Sequence, residues 1–437
     1  MRNRFFIGLV LLLQSVALAA VFVVSPREVS IVENRALTQY PTWTWDSFRD
    51  GSYQSEFESA LTDQWGLAES MKAFHAFGER QAMRVVDTVL TPQERIETRP
   101  VDITAVDVSS DDGTGQVMES ARITDRPNPR PFHVSLRPLG KNLFLMTPGE
   151  RLIVVHPNQT AMLNYIRAGA AWISEQAEGL QVPVYVYYIE SDVDIDFVEG
   201  RMPHMALNTI KTTLPEDIKI AAYEVDSFEQ YLQSFYKTDH HWNARGQYEG
   251  YVDIVHLLKG KRIAMLPIEV MVATGVRFNG YRARLLNDLD RFDDFDFLSM
   301  SLPEHEEVIN GRPGTYGRKA AYIAGHIRQE AGVNHFGICG GRDHGEVRFV
   351  FPENRGKGKL LVLSDSYINP LKSYIASHFE EAVFIDLRYY TRDMGAKFSL
   401  QETVNQGDYD QVLVAGSSFF IRILPELYVK QEVGDGF

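Results

Sequence analysis

The stretch GKLLVLSDSYINPLKSYIASHF, residues 358–379, predicts a buried strand that turns sharply into a helix. Its apolar run ends in a turn that contains Ser366, and Pro370 then opens a helical pattern. Ser366 would therefore lie at the carboxyl edge of a sheet, where open α/β folds bind ligands. A serine in this place can project its hydroxyl group into a cleft, while nearby backbone N–H groups face a developing oxyanion. Serine is also a common helix cap, so a purely structural role for Ser366 stays open.

Further short apolar runs, bounded by turns or helical patterns, follow from about residue 136 onward. They are VPVYVYYI at 182–189, KIAAYEV at 219–225, AVFIDL at 382–387 and YDQVLVAG at 409–416. Short continuous apolar strands that alternate with helical patterns indicate a mostly parallel sheet covered on both faces by helices. The sequence therefore predicts an α/β domain over residues 136–437.

A second polar cluster, KTDHHWNARG at 237–246, supplies groups that a serine nucleophile requires. Asp239 and His241 are separated by one residue, so both side chains face the same way on an extended segment. They can act as an orienting carboxylate and a base. Two alternatives stay open: Thr238 or Asp239 caps the helical pattern that follows, or Asp239, His240 and His241 bind a metal ion.

The N-terminal residues predict an extracytoplasmic protein. Arg2 and Arg4 precede an uncharged run at 5–24, which is about as long as a helix needs to be to cross a hydrocarbon core. No charge follows until Arg27, a pattern that places the N-terminus in the cytoplasm and the rest outside. Residues 1–25 are therefore a signal anchor or, because ALA at 17–19 fits a signal-peptidase site, a signal peptide.

Two segments separate this N-terminus from the α/β domain. Residues 26–90 predict an extended segment and a helical neck, because apolar residues such as Phe57, Leu61 and Trp65 recur at helical spacing. Residues 91–135 are rich in Asp, Ser, Thr and Pro and predict a polar insertion or hairpin.

Composition excludes several classes of partner and cofactor. A net charge of −14 and the lack of a clustered basic run argue against nucleic-acid binding. Cys339 is the one cysteine, which rules out an intramolecular disulfide and a zinc site built from several thiolates. The Gly-rich stretch at 337–347 lacks the Gly-Lys-Ser/Thr ending of a phosphate loop, so we expect no nucleotide and no other cofactor.

Taken in order, three motifs resemble the DHHW family, which is similar to the SGNH-hydrolase-like domains of bacterial alginate O-acetylation proteins. They are FYKTDHHWNARGQYEGY at 235–251, LLVLSDSYINP at 360–370 and FIDLRYY at 384–390. Shorter matches, beginning with ENRAL at 33–37, extend the resemblance over most of the chain. The resemblance implies an SGNH-hydrolase-like fold.

The resemblance also implies roles for individual residues. Ser366 takes the position of the nucleophile, His241 that of the general base and Asp239 that of the residue that orients the base. Asn369 and Arg388 match family positions and are implied to contact substrate or to help bind the oxyanion. Tyr367 is a further candidate for this role, and His240 is either a spacer or a substrate contact. For Asn369 the alternative is a turn-forming role before Pro370, and for Arg388 it is an ion pair with Asp386.

The implied activity is the transfer or hydrolytic removal of an acyl group, acetyl above all, on a cell-surface or exported polysaccharide. A multi-span membrane acyltransferase is the implied partner, because this chain has one candidate span and an acyl donor must cross the membrane. Transferase and esterase stay open as alternatives. A polysaccharide-binding or scaffold subunit without catalytic activity is the rival interpretation.

Overall fold

The computed structural model describes residues 131–433 except 141, 156–158, 267 and 317–331, together with 29–30, 35–36, 40–49, 53–54, 57, 60 and 98–101. The chain divides into two compact units, residues 1–94 with Phe437, and residues 95–436. The predicted anchor at 5–24, nearly all of the predicted neck and most of the predicted insertion lie outside the described residues. No helix within the described part of the chain is both long enough and apolar enough to cross a membrane.

The described strands and helices are numbered here in chain order. The strands are β1 Val29–Ser30, β2 Arg35–Ala36, β3 Thr98–Val101, β4 Ser135–Gly140, β5 Leu143–Thr147, β6 Arg151–Val154, β7 Val184–Ile189, β8 Lys219–Tyr223, β9 Ile268–Phe278, β10 Asp293–Met300, β11 Glu306–Ile309, β12 Arg312–Pro313, β13 Glu346–Val350, β14 Lys359–Ser364, β15 Glu381–Ile385 and β16 Gln411–Ser417. The α-helices are α1 Trp45–Arg49, α2 Gln159–Ala177, α3 Met205–Thr213, α4 Phe228–Ser234, α5 Ala244–Lys259, α6 Tyr281–Leu286, α7 His335–Cys339, α8 Lys372–Ala376, α9 Tyr390–Met394, α10 Leu400–Gly407 and α11 Ser418–Val433. The 3-10 helices are η1 Asp192–Asp194, η2 Pro352–Asn354 and η3 Ser366–Leu371.

The central sheet is mixed rather than mostly parallel. Its eight described strands follow the order β12, β11, β13, β15, β14, β16, β7, β8. The five strands from β15 to β8 are parallel and coincide with the five predicted apolar runs. The remaining strands pair antiparallel and extend one edge. This difference has a physical reason: β13 alternates buried and half-buried residues, the pattern of a strand with one covered face, whereas β7 is buried throughout.

Helices cover both faces of the sheet, as predicted. Successive residues of β14 point to opposite faces: Leu360 and Val362 pack into one core, while Leu361 and Leu363 pack into the other. Helices α4, α5 and α8 line the first core, and α2, α3, α10 and α11 line the second. Because its strands are parallel, this part of the sheet has all its carboxyl ends along one edge.

Helix α5 shows how the sequence specifies one of these layers. Asn243 precedes it, and its side chain accepts hydrogen bonds from the N–H groups of Arg245 and Gly246. Tyr251, Ile254, Val255 and Leu258 recur at helical spacing and are all buried against the sheet. The helix ends at Gly260, whose positive φ of 84° favours glycine.

Two smaller antiparallel sheets accompany the central one. One has the strand order β4, β5, β6, and the other has the order β10, β9, β3. A separate aromatic core that includes Phe278, Phe295 and Phe297 lies against the second of these sheets. The sequence patterns did not predict either sheet, and the β9 and β10 hairpin proves to support the candidate site.

Candidate active site

Ser366 lies in the turn that follows the central strand β14, at the carboxyl edge of the sheet. Asp365 is the residue that caps this turn, because its Oδ1 accepts a hydrogen bond from the Tyr367 N–H at 3.1 Å. Its Oδ2 accepts from the N–H and hydroxyl of Ser417 at the end of β16, at 3.2 and 2.8 Å. Asp365 is therefore the capping residue, and the hydroxyl group of the half-buried Ser366 is not needed to cap the turn. Pro370, predicted to open the helix, lies inside η3 instead.

Residues 237–242, here called the Asp–His segment, lie between α4 and α5. They form neither a helix nor one of the named strands. Thr238 is held by Asp293 at the start of β10, whose Oδ2 accepts from its N–H at 2.9 Å and its hydroxyl at 2.6 Å. Since Asn243 caps α5, the alternative in which Thr238 or Asp239 caps that helix is wrong. The segment is thus free to place Asp239 and His241 against the Ser366 turn.

The structure brings Asp239, His241 and Ser366 into one line of hydrogen bonds. His241 Nδ1 is 2.7 Å from Asp239 Oδ1, and His241 Nε2 is 2.9 Å from Ser366 Oγ. The imidazole ring stacks on Phe336 of α7, with ring centroids 4.0 Å apart and planes 16° apart. With Nδ1–H donating to the carboxylate, Nε2 can accept the proton of the serine hydroxyl, which is the arrangement of a serine nucleophile and its base.

Both carboxylate oxygens of the buried Asp239 accept hydrogen bonds. Oδ1 also accepts from the backbone N–H groups of His240 and His241 at 2.8 and 3.1 Å, and Oδ2 accepts from the Tyr281 N–H at the start of α6 at 2.5 Å. Burial alone would raise the pKa of Asp239, but electrostatic interaction with His240 and His241, the hydrogen bond from His241 and the charge of Arg284 hold that pKa well below its usual value. Asp239 is therefore ionised at neutral pH.

Helix α6 approaches this carboxylate closely because its cap is Gly280. A Cβ atom added at Gly280 would lie 2.4 Å from the Thr238 carbonyl oxygen and 2.5 Å from Asp239 Cβ. Arg282 fixes the same helix from the other side, since it forms a buried ion pair with Asp192 at 2.7 Å. These supports could not be predicted from the sequence, because backbone donors, tight contacts and ion pairs between distant residues have no local sequence pattern.

His240 and Tyr367 flank the line of hydrogen bonds. His240 is partly exposed, and burial followed by the neighbouring His241 lowers its pKa well below the usual value, so its ring is neutral at pH 7. The Tyr367 hydroxyl donates to the carbonyl oxygen of His240. The backbone carbonyl oxygen of Tyr367 accepts a hydrogen bond from Trp242 Nε1 at 3.0 Å. Tyr367 therefore links the turn that contains Ser366 to the Asp–His segment.

Asn369 and Arg388 belong to a polar cluster next to Ser366. Asn369 Nδ2 donates to Asp343 Oδ1 at 2.7 Å, and its own buried Oδ1 has no hydrogen-bond partner in the described part of the chain. Arg388 forms a two-point ion pair with Asp386, at 2.9 Å through Nε and 2.7 Å through a terminal nitrogen. This ion pair is the structural alternative that was stated for Arg388. Asp343 lies in the Gly-rich stretch at 337–347 but was not among the predicted site residues, because an aspartate in such a stretch is typical of a turn.

The residues Asp239, His240 and His241 also have to be considered as a metal site. Their ligand atoms all lie within 4.8 Å of one another, which a metal ion would require. However, both ring nitrogens of His241 are in hydrogen-bond contact with protein groups, and both oxygens of Asp239 accept N–H groups. A metal ion would have to displace these contacts, so the donor set fits the hydrogen-bonded arrangement better.

This chain combines a mixed central sheet, covered by helices, with a Ser–His–Asp line of hydrogen bonds at the carboxyl edge of its parallel strands. It shares its fold with a DHHW family protein from Eubacterium siraeum, at 15% identity over 66% of this chain and 95% of that chain, with a TM-score of 0.50. The predicted resemblance to the DHHW family is thus confirmed at the level of the fold.

Two further solved structures are similar at lower TM-scores. Bacillus cereus PatB1 has 16% identity over 66% of this chain and 97% of that chain, with a TM-score of 0.47. The O-acetyltransferase domain of Pseudomonas putida AlgJ has 7% identity over 70% of this chain and 99% of that chain, with a TM-score of 0.36. No protein-family model and no curated protein sequence matches the chain.

Proposed function

We propose that this chain is a serine-dependent O-acyltransferase or acyl esterase. The observation that carries the proposal is the unbroken line of hydrogen bonds from Asp239 through His241 to Ser366, with distances of 2.7 and 2.9 Å. A structural role alone does not explain it, because Asp365 caps the turn and Asn243 caps α5. The line places a base within reach of the serine proton and an ionised carboxylate behind the base.

In the first half of the reaction, Ser366 Oγ attacks the acyl carbonyl carbon while His241 Nε2 takes the hydroxyl proton. The negative charge of Asp239 stabilises the imidazolium ion that forms. His241 then gives this proton to the leaving oxygen of the donor, the bond between the acyl carbon and that oxygen breaks, and an acyl ester on Ser366 remains.

In the second half, the acceptor takes the place of the leaving group. His241 removes a proton from an acceptor hydroxyl, whose oxygen attacks the ester carbon, and the proton returns to Ser366 as the ester bond breaks. A sugar hydroxyl as acceptor gives transfer, and water gives hydrolysis. For the oxyanion of both halves, we assign the Ser366 N–H and the side-chain amide of Asn369 as donors, with His240 and Arg388 near the bound substrate.

The acyl group, the substrate and the location are parts of the same proposal. The ordered motifs that resemble the DHHW family support an acetyl group and a cell-surface or exported polysaccharide. The charge pattern around residues 5–24 supports an extracytoplasmic location, with a membrane anchor or a cleaved signal peptide at the N-terminus. A multi-span membrane acyltransferase would then supply the acyl donor.

The test is a search for the acyl-enzyme by intact-mass analysis of the full chain in detergent, incubated with an activated acetyl ester. We expect an acetyl-sized adduct that is absent from Ser366→Ala, and hydrolysis that is lost in both Ser366→Ala and His241→Ala. Ser373→Ala, which removes a partly buried serine at the second position of α8, is the matched control and keeps both signals.

Other outcomes would favour the rival interpretations. No adduct, with equal background hydrolysis in every variant, would reject the catalytic role and favour a polysaccharide-binding subunit. Hydrolysis that survives in Ser366→Ala but disappears with a chelator would favour a metal-dependent hydrolase built on Asp239, His240 and His241.

A further inference from the structure

Lys372 is a fully buried lysine six residues after Ser366. It is the first residue of α8, directly after η3, and its side chain has no exposed surface. No described residue accepts a hydrogen bond from its Nζ atom. A buried ammonium group without a hydrogen-bond partner is costly, so its place in the fold calls for a compensating interaction.

The surroundings of Lys372 supply charge rather than hydrogen bonds. Its Nζ atom lies over the rings of Tyr316 and Phe384, 5.4 and 5.9 Å from their centroids. The titratable and charged groups that act on it come from the loop before β13, the cap of η3 and the segment after β15. They are Asp343, His344, Asp365, Asp386 and Arg388.

The same groups hold η3, the helix that carries Ser366. Asp343 accepts from Asn369 inside η3, and the Tyr316 hydroxyl donates to the Asn369 carbonyl oxygen at 3.2 Å. Burial would raise the pKa of Asp343, but Arg388, the hydrogen bond from Asn369 and the charge of Lys372 outweigh it and hold the pKa below its usual value. The ammonium group of Lys372 is thus one of the groups that favour the ionised form of the carboxylate that orients Asn369.

We propose that Lys372 is a positioning residue of the Ser366 site, whose buried positive charge offsets Asp343 and Asp386 and favours the oxyanion that forms beside Asn369. The inference rests on the proposed function, since it concerns the charge that develops when Ser366 attacks an ester. With Lys372 protonated, its charge and that of Arg388 oppose the carboxylates of Asp343, Asp365 and Asp386. Loss of the proton makes the net charge of this group more negative by one unit beside the developing oxyanion.

A pH profile separates this role from simple packing. Burial lowers the pKa of Lys372 from the usual 10.5 to about 8, with Asp386 and Asp343 opposing the shift. The amine is therefore protonated at pH 7 and loses its proton between pH 7 and 9. We expect kcat/KM for ester hydrolysis to fall by about tenfold across that range as the charge disappears.

The experiment measures this profile from pH 6 to 10 for the full chain and for Lys372→Met, which keeps the length of the side chain without its charge. The variant should show, at every pH above 7, the low activity that the wild type reaches at pH 9 to 10, with no alkaline decrease. Lys372→Gln, which keeps a polar end, should behave in the same way if the Met variant does not fold. Lys219→Met is the matched control and should keep the wild-type profile. It removes an exposed lysine of β8, the last strand of the central sheet, whose Nζ atom lies 5.7 Å from the centroid of the Tyr185 ring.

Each remaining outcome contradicts one proposal in particular. Activity that depends on Ser366 but shows no alkaline decrease in the wild type, or the same decrease in the Lys372 variant that folds, overturns the role of Lys372 alone. Activity that survives in Ser366→Ala overturns the proposed function, and the inference about Lys372 is lost with it.

Discussion

The substitution Asp239→Asn separates two effects of Asp239 on His241: its negative charge and its orientation of the imidazole ring. The side chain keeps its size, but one carboxylate oxygen becomes an NH2 group, which donates instead of accepting. The outcome depends on which of the two oxygens is replaced, because they have unequal sets of partners. Oδ1 accepts three N–H groups, two from the backbone and one from the His241 ring, whereas Oδ2 accepts one, from Tyr281.

The count of partners decides the orientation of the new amide. If its oxygen stays at the Oδ1 position, only the Tyr281 N–H loses its acceptor. In the reverse orientation three donors face an NH2 group, two more than in the first case, and each unsatisfied buried donor costs about 1–3 kcal/mol. The first orientation is favoured by about 2–6 kcal/mol, so His241 keeps the proton on Nδ1 and its Nε2 stays available to Ser366.

The loss of activity should therefore reflect the missing charge and not a wrong tautomer. A hydrogen bond to a charged group contributes about 1.5–3 kcal/mol and one between neutral groups about 0.5–1.5 kcal/mol, a difference of about 1–2 kcal/mol. We expect kcat/KM to fall by about 5- to 30-fold in Asp239→Asn, given about 1.4 kcal/mol for each factor of ten. In serine proteases, where the same substitution imposes the wrong tautomer, the loss is about 10⁴-fold.

The assay is steady-state hydrolysis of an activated acetyl ester at pH 7.5 by the wild type, Asp239→Asn, Asp239→Ala and Ser366→Ala. Asp239→Ala removes orientation as well as charge and should lose clearly more activity than Asp239→Asn. A loss in Asp239→Asn as large as that in Ser366→Ala would refute the argument that the three donors at Oδ1 fix the amide. Unchanged activity would refute the role of the charge.

Two further predictions concern the supports of the site and of the core. Gly280→Ala should lower the free energy of unfolding by about 1–3 kcal/mol and reduce activity. The added Cβ atom would meet Thr238 and Asp239 and move the Tyr281 N–H away from the Asp239 carboxylate. An unfolding free energy equal to that of the wild type, measured by chemical denaturation, would contradict this prediction. Burial lowers the pKa of His378, whose Nε2 lies 2.7 Å from the Tyr251 hydroxyl, from 6.5 to about 4, so the unfolded chain binds more protons and stability falls as the pH drops below 6.5. His378→Gln should remove about 2 kcal/mol of the loss in unfolding free energy between pH 7 and pH 5, and an identical loss in both proteins would refute that shift.

The sequence predicted the parallel half of the central sheet well, because its strands are buried on both faces. Residues 360–363 have no exposed position and therefore form a continuous apolar stretch. So short a stretch, bounded by turn residues, favours a buried strand over a helix. The antiparallel strands escaped prediction for the opposite reason. β11 and β12 are short and half-exposed or exposed, and their pairing with β13 is set by contacts that residue type does not record.

The candidate site was predictable only in part. Ser366 and His241 are 125 residues apart, and no local pattern requires that they meet. The position of Ser366 after a buried strand and the spacing of Asp239 and His241 indicated the chemistry, and the ordered motifs linked the two. Asp343 and Lys372 gave no such signal, since a lysine at the start of a helical pattern normally faces solvent and its burial follows from tertiary packing.

The two halves of the site rest on different parts of the fold, which explains the tryptophan beside the two histidines. Ser366 follows β14 in the parallel sheet, whereas the Asp–His segment is held by Asp293 of β10 and by α6, outside that sheet. A distance of 2.9 Å between His241 and Ser366 therefore needs a direct tie between the supports. Trp242 provides it: its ring is fully buried, packs against Gly250 of α5, and its Nε1 donates to the carbonyl oxygen of the residue after Ser366. Since Trp242 directly follows His241, its side chain acts together with the hydrogen bond from the Tyr367 hydroxyl to His240. The two contacts hold the residues next to the base and the nucleophile together, and so support the separation on which proton transfer depends.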